Sequence, residues 1–157
     1  MFPYLDKSSP DAWQAAREWS AAVAETALQG GLTPQETELL KVRASQVNAC
    51  AYCLDLHSRE ARQAGVPQQK LDMLPAWRDA ELYGEREQAV LAIAEAATLL
   101  PLTEDSRADL AGARSVLGEA TYVAAEWVAV AINAFNRISI LSAHRVNVRD
   151  GEGRLVR

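Results

Sequence analysis

Apolar residues recur along this chain at the spacing of α-helices, and prolines and glycines separate the helical stretches. Ser9 and Pro10 open a first helix, which Gly30 and Gly31 close. Further helices are predicted from Thr33 to a turn near Asn48, from there to Gly65, and over residues 68–73, 85–100 and 103–118. The pattern therefore predicts an all-α protein.

The longest predicted helix, residues 119–143, is apolar around almost its whole circumference. Its apolar positions include Val123, Trp127, Val130 and Ile132. A helix of this kind must be buried on most sides, and in a small domain that requires a central position or contact with a second subunit. We therefore expect a long buried C-terminal helix and a homo-oligomer. A polar C-terminal tail begins at about residue 145.

Both cysteines of the chain lie at the start of the helix that follows the turn near Asn48. At roughly 100° per residue, Cys50, Cys53 and His57 leave this helix within an arc of about 60°. Positions i and i+3 of a first turn bring two sulfurs close enough to join. With Asn48 as the expected helix cap, the unpaired amides of the helix start would stabilise a thiolate. His57, one turn after Cys53, can exchange protons with it near neutral pH.

A carboxylate from the preceding helix completes this group. That helix begins with Thr33, Pro34 and Glu36, which have the spacing of a capping box with proline in the first turn. Glu38 lies on the stripe that a short turn near Asn48 would fold against the cysteine face. It could then approach the thiols directly or through water and take a proton from a cysteine.

Composition limits the class of protein. The chain has 157 residues, 49% of them apolar, which suits one domain over residues 1–157 with a motif core at 34–65. The net charge of −5 comes without a basic stripe, which argues against nucleic acid and anionic membranes as partners. No apolar run has the length of a membrane span, and the N-terminus lacks a signal-peptide pattern. We expect a cytoplasmic protein, in which a CxxC pair indicates redox or metal chemistry.

Two other interpretations of the cysteines remain open. They could be buried structural thiols, because free cysteine often packs as a small core residue. They could also bind zinc together with His57 and Glu38, although structural zinc sites usually draw their ligands from two separate segments. A covalently attached haem is excluded because Leu54, and not histidine, follows Cys53. The second histidine, His144, is expected to be a C-terminal or surface residue near the end of the last helix.

The residues around the cysteines also carry a family resemblance. A glutamate stands twelve residues before the CxxC motif, a histidine follows the motif by four residues, and Ala61, Arg62 and Gly65 continue the pattern. Residues 133–137 have the sequence Asn-Ala-Phe-Asn-Arg. In these features the chain resembles the AhpD-like alkylhydroperoxidases, within the carboxymuconolactone decarboxylase superfamily. The resemblance implies a bundle of about six to eight helices, with the CxxC at the N-terminus of a helix.

The resemblance further implies a site and a reaction. Its catalytic set corresponds to Glu38, Cys50, Cys53 and His57, with a redox-active Cys50–Cys53 disulfide and no bound cofactor or metal. The implied substrate is a small-molecule hydroperoxide, and the implied reductant is a dithiol, either a lipoyl group or a thioredoxin-like protein. Trimers or hexamers are the implied assemblies. The resemblance assigns the peroxide to Cys53 and the resolving role to Cys50, whereas the helix dipole favours Cys50 as the more acidic thiol.

Three functions follow from these observations. The first is a thiol-dependent peroxidase that reduces organic hydroperoxides. The second is a dithiol-disulfide oxidoreductase or redox-sensing module with little peroxidase activity, because well-studied peroxidases of the family carry a histidine between the cysteines where this chain has Tyr52. The third is a lactone decarboxylase of the superfamily, and the intact CxxC counts against it because those members generally work without the pair.

Overall fold

The computed structural model describes residues 2–156, and within them the chain is helical except for connections and a short C-terminal bridge between Arg149 and Leu155. A short 3-10 helix at Leu74–Ala76 follows the fifth α-helix. None of the helices in this described part is long and apolar enough to cross a membrane. The α-helices are α1 (Leu5–Ser8), α2 (Pro10–Gln29), α3 (Pro34–Val47), α4 (Ala51–Gln63), α5 (Gln68–Met73), α6 (Glu85–Thr98), α7 (Glu104–Leu117) and α8 (Glu119–Leu141). The prediction of an all-α fold is confirmed.

Threonine side chains cap the N-termini of α3 and α7. The Thr33 hydroxyl accepts a hydrogen bond from the Glu36 N–H, and the Glu36 carboxylate accepts one from the Thr33 N–H, which completes the predicted capping box of α3. Thr103 caps α7 in the same way by accepting from the Ser106 N–H. The predictions were less accurate at two C-termini, because α6 ends at Thr98 and α8 at Leu141.

Helices α3 and α6 form the centre of the molecule. One core cluster contains Leu40 of α3 and Val90 of α6 together with residues of α2, α7 and α8. A second cluster contains Leu39 of α3 and Leu91 of α6 together with residues of α4, α5 and the 3-10 helix. Adjacent residues of α3 and of α6 therefore face different halves of the core. This arrangement fixes α3, which carries Glu38, between α4 and α8.

Helices α2 and α8 pack closely where α2 ends. A side chain at Gly30 would place its Cβ only 2.6 Å from the Cβ of Ala124, so this crossing requires glycine. The Thr121 hydroxyl also donates a hydrogen bond of 2.6 Å to the Gly30 carbonyl. The two helices therefore meet through backbone and small side chains at this end. Toward the other end of α2, Trp13 and Trp19 contact the Phe135 ring of α8, with ring centroids 5.9 Å and 6.5 Å apart.

Helix α8 is the long, largely buried C-terminal helix that the sequence predicts, but one stripe of it faces outward. Ten of its 23 residues are buried. Val123, Trp127 and Val130, which follow one another on a single face, are 43%, 47% and 50% exposed. The described part of the chain leaves this apolar stripe uncovered, as expected for a surface that contacts a second subunit. The homo-oligomer expected from the sequence stays a prediction.

Glycine at the end of α4 provides a test of the helix-end geometry. Gly65 has a φ of +92°, a backbone conformation that alanine adopts only with strain. A Cβ at this position would meet nothing closer than the Gln35 Nε2, at 3.6 Å. Replacing Gly65 with alanine should therefore lower the free energy of unfolding by about 1 kcal/mol through backbone strain alone. Gly112 is the matched control, because it lies inside exposed α7 with open space around it, and Gly112→Ala should raise that free energy by roughly 0.5–1 kcal/mol. Urea unfolding measures both changes, and equal effects of the two substitutions would contradict this assignment.

Candidate active site

The two cysteines lie at the start of α4, immediately after the turn that joins it to α3. Cys50 is the N-cap of α4, and its Sγ accepts a hydrogen bond of 3.4 Å from the Cys53 N–H. The two residues are joined by a disulfide, their Cα atoms are 5.3 Å apart, and they are only 1% and 3% exposed. The predicted position of the CxxC at a helix N-terminus is confirmed. After reduction, the free amides and the positive end of the helix dipole would stabilise a thiolate there.

Asn48, expected as the cap of this helix, has a different role. Its side-chain amide donates hydrogen bonds of 2.9 Å and 2.8 Å to the side-chain oxygens of Asn133 and Asn136 on α8. Asn136 is fully buried and donates in turn to the Ser45 hydroxyl of α3. The prediction of a capping asparagine was wrong because long-range partners satisfy the Asn48 side chain. The resulting network ties the turn before Cys50 to α8.

His57 and Glu38 meet as the sequence predicts, and two further charged residues join them. The His57 Nδ1 lies 2.9 Å from a Glu38 oxygen and 3.1 Å from a Glu60 oxygen, so two carboxylates share one N–H. The other Glu38 oxygen accepts a hydrogen bond of 2.8 Å from the Lys41 ammonium. Because the carboxylates hold the proton of neutral His57 on Nδ1, its Nε2 is left as a proton acceptor. Sequence reasoning missed Glu60 and Lys41, although both stand one helical turn from a predicted site residue.

These contacts shift the pKa of His57. Burial opposes its protonation, but hydrogen bonds to Glu38 and Glu60 outweigh burial and raise its pKa above the usual 6.5. The hydrogen bond from His57 is also the main cause that lowers the pKa of Glu60, against a smaller opposing effect of burial. The two shifts agree in direction, since each partner favours the charged form of the other. His57 is thus suited to gain and release a proton near neutral pH.

A pocket of about 710 Å³ runs along α4 between α2, α3 and α8. Tyr52 and Ala64 both line it, and the helical rise puts them about 18 Å apart along α4. Cys53, His57 and Glu38 line its wall, whereas Cys50 is not among the described residues that do so. Most of the remaining lining is apolar, including Trp13, Val23, Leu28, Ile132, Phe135 and Ile138. The arrangement places one of the two cysteines, Cys53, on the wall of a mostly apolar cavity.

The same pocket contains a second histidine that the sequence analysis placed on the surface. The His144 side chain is only 15% exposed, lines the pocket and lies 3.1 Å from an Asp6 oxygen through its Nε2. Its ring also contacts that of Tyr52, with ring centroids 5.3 Å apart. The expectation of a surface histidine was wrong because α1 and α4 cover the end of α8. No local pattern could have indicated this, since Asp6 and His144 are 138 residues apart in the chain.

The proposed zinc ligands are not all free to bind a metal in this structure. Cys50 and Cys53 are bonded to each other, so neither offers a thiolate. Glu38, His57 and Glu60 offer ligand atoms within 4.8 Å of one another, and these three could hold a cation. Their mutual hydrogen bonds and the Lys41 contact already satisfy the same atoms. Lys41, and His57 when it is protonated, offset the negative charge of the two carboxylates.

Comparison with known proteins adds independent information. The model of the carboxymuconolactone decarboxylase family matches residues 10–96. The chain is 34% identical to the uncharacterized protein YdfG of Bacillus subtilis over 117 residues, which cover 74% of this chain and 80% of that protein. It is 31% identical to the uncharacterized protein YnjA of Escherichia coli over 74 residues, 47% of this chain and 41% of that protein.

A solved structure is similar over almost the whole chain. It is the crystal structure of an Agrobacterium tumefaciens protein of unknown function, proposed there to be the antioxidant defence protein AhpD. The two are 28% identical, with a TM-score of 0.78, and the match covers 92% of this chain and 96% of that one. The fold expected from the sequence is therefore confirmed by an experimental structure as well.

The contact between Glu38 and His57 makes a prediction about titration. Glu38→Gln should lower the pKa of His57, because the substitution removes the charged acceptor while burial still opposes protonation. An NMR titration of the two histidine rings measures this pKa, and Glu85→Gln, at an exposed position of α6, is the matched control. An unchanged His57 pKa in Glu38→Gln would contradict the assignment.

The same shift makes a prediction about stability. A pKa raised in the folded state adds stability that is fully present below about pH 6.5 and is lost as the pH rises through the raised value. Wild-type protein should therefore lose more unfolding free energy than His57→Gln when the pH increases across that range. Urea unfolding below and above the His57 pKa, at constant ionic strength, measures the difference. Parallel pH profiles of the two proteins would be the contrary result.

Proposed function

Because the chain belongs to the carboxymuconolactone decarboxylase family and has an AhpD-like fold, we propose that it is a thiol-dependent peroxidase that reduces organic hydroperoxides through a Cys50–Cys53 cycle. The observation that carries this proposal is the position of Cys53. Its sulfur belongs to a buried disulfide at a helix start, and the residue lines an apolar pocket beside His57 and Glu38. Such a setting suits a thiol that must become a thiolate and meet a small substrate.

The first step uses the reduced pair. His57, oriented by Glu38 and Glu60, takes the proton of the Cys53 thiol through its Nε2. The thiolate then attacks the terminal oxygen of the hydroperoxide, the O–O bond breaks, and an S–O bond forms. Two electrons pass from sulfur to the peroxide, which leaves as an alkoxide and is protonated to the alcohol, while Cys53 becomes a sulfenic acid.

The second step forms the bond present in the structure. The Cys50 sulfur attacks the Cys53 sulfenic acid, water leaves, and the disulfide results. A dithiol reductant then returns both residues to thiols. The burial of the pair favours a narrow donor, such as a lipoyl arm entering the pocket, over a broad thioredoxin-like surface. We place this cycle in the cytoplasm, where dithiol systems keep thiols reduced.

The pocket supports an organic hydroperoxide as substrate. Its lining residues extend over about 18 Å of α4, and its mostly apolar walls offer hydrophobic contact to an alkyl or aryl group. Hydrogen peroxide would fill little of this volume and would gain nothing from the apolar walls. We therefore assign the pocket to the carbon skeleton of the substrate and the Cys53 end to its peroxide group.

A homo-oligomer, trimeric or hexameric, is the second part of the proposal. Trp127, Val123 and Val130 form an exposed apolar stripe on α8 that a neighbouring subunit would cover. This stripe lies on a face of α8 different from that of Ile132 and Phe135, which line the pocket. Ala131 and Ile138, which also line the pocket, stand about one and three turns after Trp127 on the same side of α8, so a neighbouring subunit would lie beside the pocket.

A dithiol-disulfide oxidoreductase or redox sensor is the alternative function. Tyr52, between the cysteines, cannot relay protons as an imidazole does, and this favours a pair that exchanges with disulfides and turns over peroxide slowly. Against it, the two sulfurs are almost fully buried, so a protein disulfide could reach them only after local opening. Lactone decarboxylation is less well supported, because it gives the buried disulfide no role.

The peroxidase cycle predicts a defined stoichiometry. Reduced wild-type protein mixed with excess cumene hydroperoxide should lose both thiols of each chain and release one equivalent of cumyl alcohol. Cys53→Ser should lower the rate of alcohol formation by at least about 100-fold, because it removes the nucleophile. Thiol titration and chromatography of the products measure these quantities. Full activity of Cys53→Ser would refute the proposed roles, and fast disulfide exchange without peroxide turnover would favour the oxidoreductase.

Assembly through α8 predicts a change of mass in solution. Wild-type protein should sediment as a trimer or hexamer, and Trp127→Glu should reduce that mass because it places a charge in the apolar contact. Val116→Glu on α7 is the control, since Val116 is also exposed but lies outside the α8 stripe. A monomeric wild type, or a Trp127→Glu protein of unchanged mass, would rule out this interface.

A further inference from the structure

The pocket contains a second pair of histidine and carboxylate that the mechanism above does not use. His57, paired with Glu38, stands one helical turn after Cys53. His144 is paired with Asp6, and its ring contacts that of Tyr52, the residue immediately before Cys53. Both pairs and Cys53 line the same pocket. Cys53 and the two imidazoles therefore share one cavity.

The second imidazole is held firmly in place. Its Nε2 lies 3.1 Å from an Asp6 oxygen, and its Nδ1 lies 3.3 Å from the Ser139 hydroxyl. The Tyr4 ring packs against it edge-on at 4.9 Å, and the Tyr52 ring does so at 5.3 Å. In its protonated form the ring donates one N–H to Asp6 and presents the other toward Ser139, which also lines the pocket.

The N-terminal segment is anchored so that Asp6 stays at this position. The Leu5 N–H donates a hydrogen bond of 3.0 Å to the Ser142 hydroxyl, and Ser142 is fully buried at the end of α8. The Asp6 side chain is only 20% exposed and itself lines the pocket. A carboxylate held beside an imidazole in this way fixes the orientation of the ring.

We propose that His144, oriented by Asp6, is the residue that protonates the alkoxide leaving the hydroperoxide, directly or across the Ser139 hydroxyl. This inference rests on the proposed peroxidase function. Cys53 loses its thiol proton to His57, and its thiolate donates two electrons to the O–O bond. The alkoxide that departs with the bonding pair takes a proton from the Nδ1 of His144. Solvent then returns a proton to His144, and His57 releases one, so the protons balance over the cycle.

The reaction requires two proton transfers, and we assign one of them to each histidine. One group must accept a proton from sulfur while another donates a proton to oxygen, and a single imidazole cannot do both at once. An alkoxide is a poor leaving group, so proton donation in the transition state accelerates its departure. A peracid releases a carboxylate, which leaves without a proton. A comparison of the two oxidants therefore distinguishes the residue that donates a proton to the leaving oxygen from the residue that accepts the thiol proton.

The test compares reduced wild-type protein with His144→Gln and Asp6→Asn, using cumene hydroperoxide and a perbenzoic acid as oxidants of similar size. His144→Gln keeps a side chain that can donate to Asp6 but cannot transfer a proton. It should slow the reaction with cumene hydroperoxide by about 100-fold and change the peracid rate by less than about threefold. Asp6→Asn should show the same selectivity with a smaller loss. Asp11→Asn removes the same negative charge from an exposed position of α2 and should change neither rate.

The outcomes are distinguishable. Selective loss with the hydroperoxide supports a general acid, and the retained peracid rate shows that the variant is folded. His57→Gln should slow both oxidants, because it removes the base that activates sulfur. If His144→Gln slows both oxidants equally, or neither, the role of His144 is overturned while the peroxidase function stands. If wild-type protein consumes peracid but not hydroperoxide, the peroxidase proposal and this inference both fail.

Discussion

The short turn between α3 and α4 is the constraint on which the site depends. Asn48 in this turn donates to Asn133 and Asn136, so the turn is fixed to α8 as well as to its own helices. The backbone then enters α4 with Cys50 at the cap and Cys53 three residues later. The same turn lays α3 against α4 and brings together side chains that are 19 residues apart, those of Glu38 and His57. One polar network thus positions both the Cys50–Cys53 disulfide and the contact between His57 and Glu38.

Charge is introduced into this otherwise apolar region in pairs. The Glu38 carboxylate is almost buried, and it is compensated by Lys41 on one oxygen and by His57 on the other. Burial alone would lower the pKa of His57, but hydrogen bonds to two carboxylates outweigh burial and raise this pKa. The result is an imidazole that is held in one tautomer when neutral and is easily protonated. A group of this kind can serve a thiol only if it shares the pocket with that thiol, and both line the same wall.

The sequence was informative where structure is local. Thr33 and Thr103 set helix starts through partners three residues away, and the CxxC with His57 shares one face of one helix by periodicity alone. Predictions from the sequence were wrong where contacts between distant parts of the chain determine the role of a side chain. Asn48 has the composition of a cap, yet its partners lie 85 and 88 residues further along the chain.

His144 was misplaced for the same reason, because an N-terminal segment covers it, and no spacing rule connects Asp6 to the end of α8. A signal for Asn133 and Asn136 did exist. Two amides on a helix that is otherwise apolar must find buried partners, and this requirement points to a polar contact with another element. The partner itself could be identified only from the structure.

The central claim is that Cys53 is the sulfur that meets the peroxide in the pocket. The most direct measurement is intact-protein and peptide mass spectrometry of reduced Cys50→Ser after one equivalent of cumene hydroperoxide, with dimedone as a trap for sulfenic acid. Because the resolving sulfur is absent, we expect Cys53 to gain one oxygen atom in the sample without dimedone. In the sample with dimedone, we expect an adduct at Cys53 in place of that oxygen. An unmodified Cys53 after the hydroperoxide has been offered in this way would contradict it.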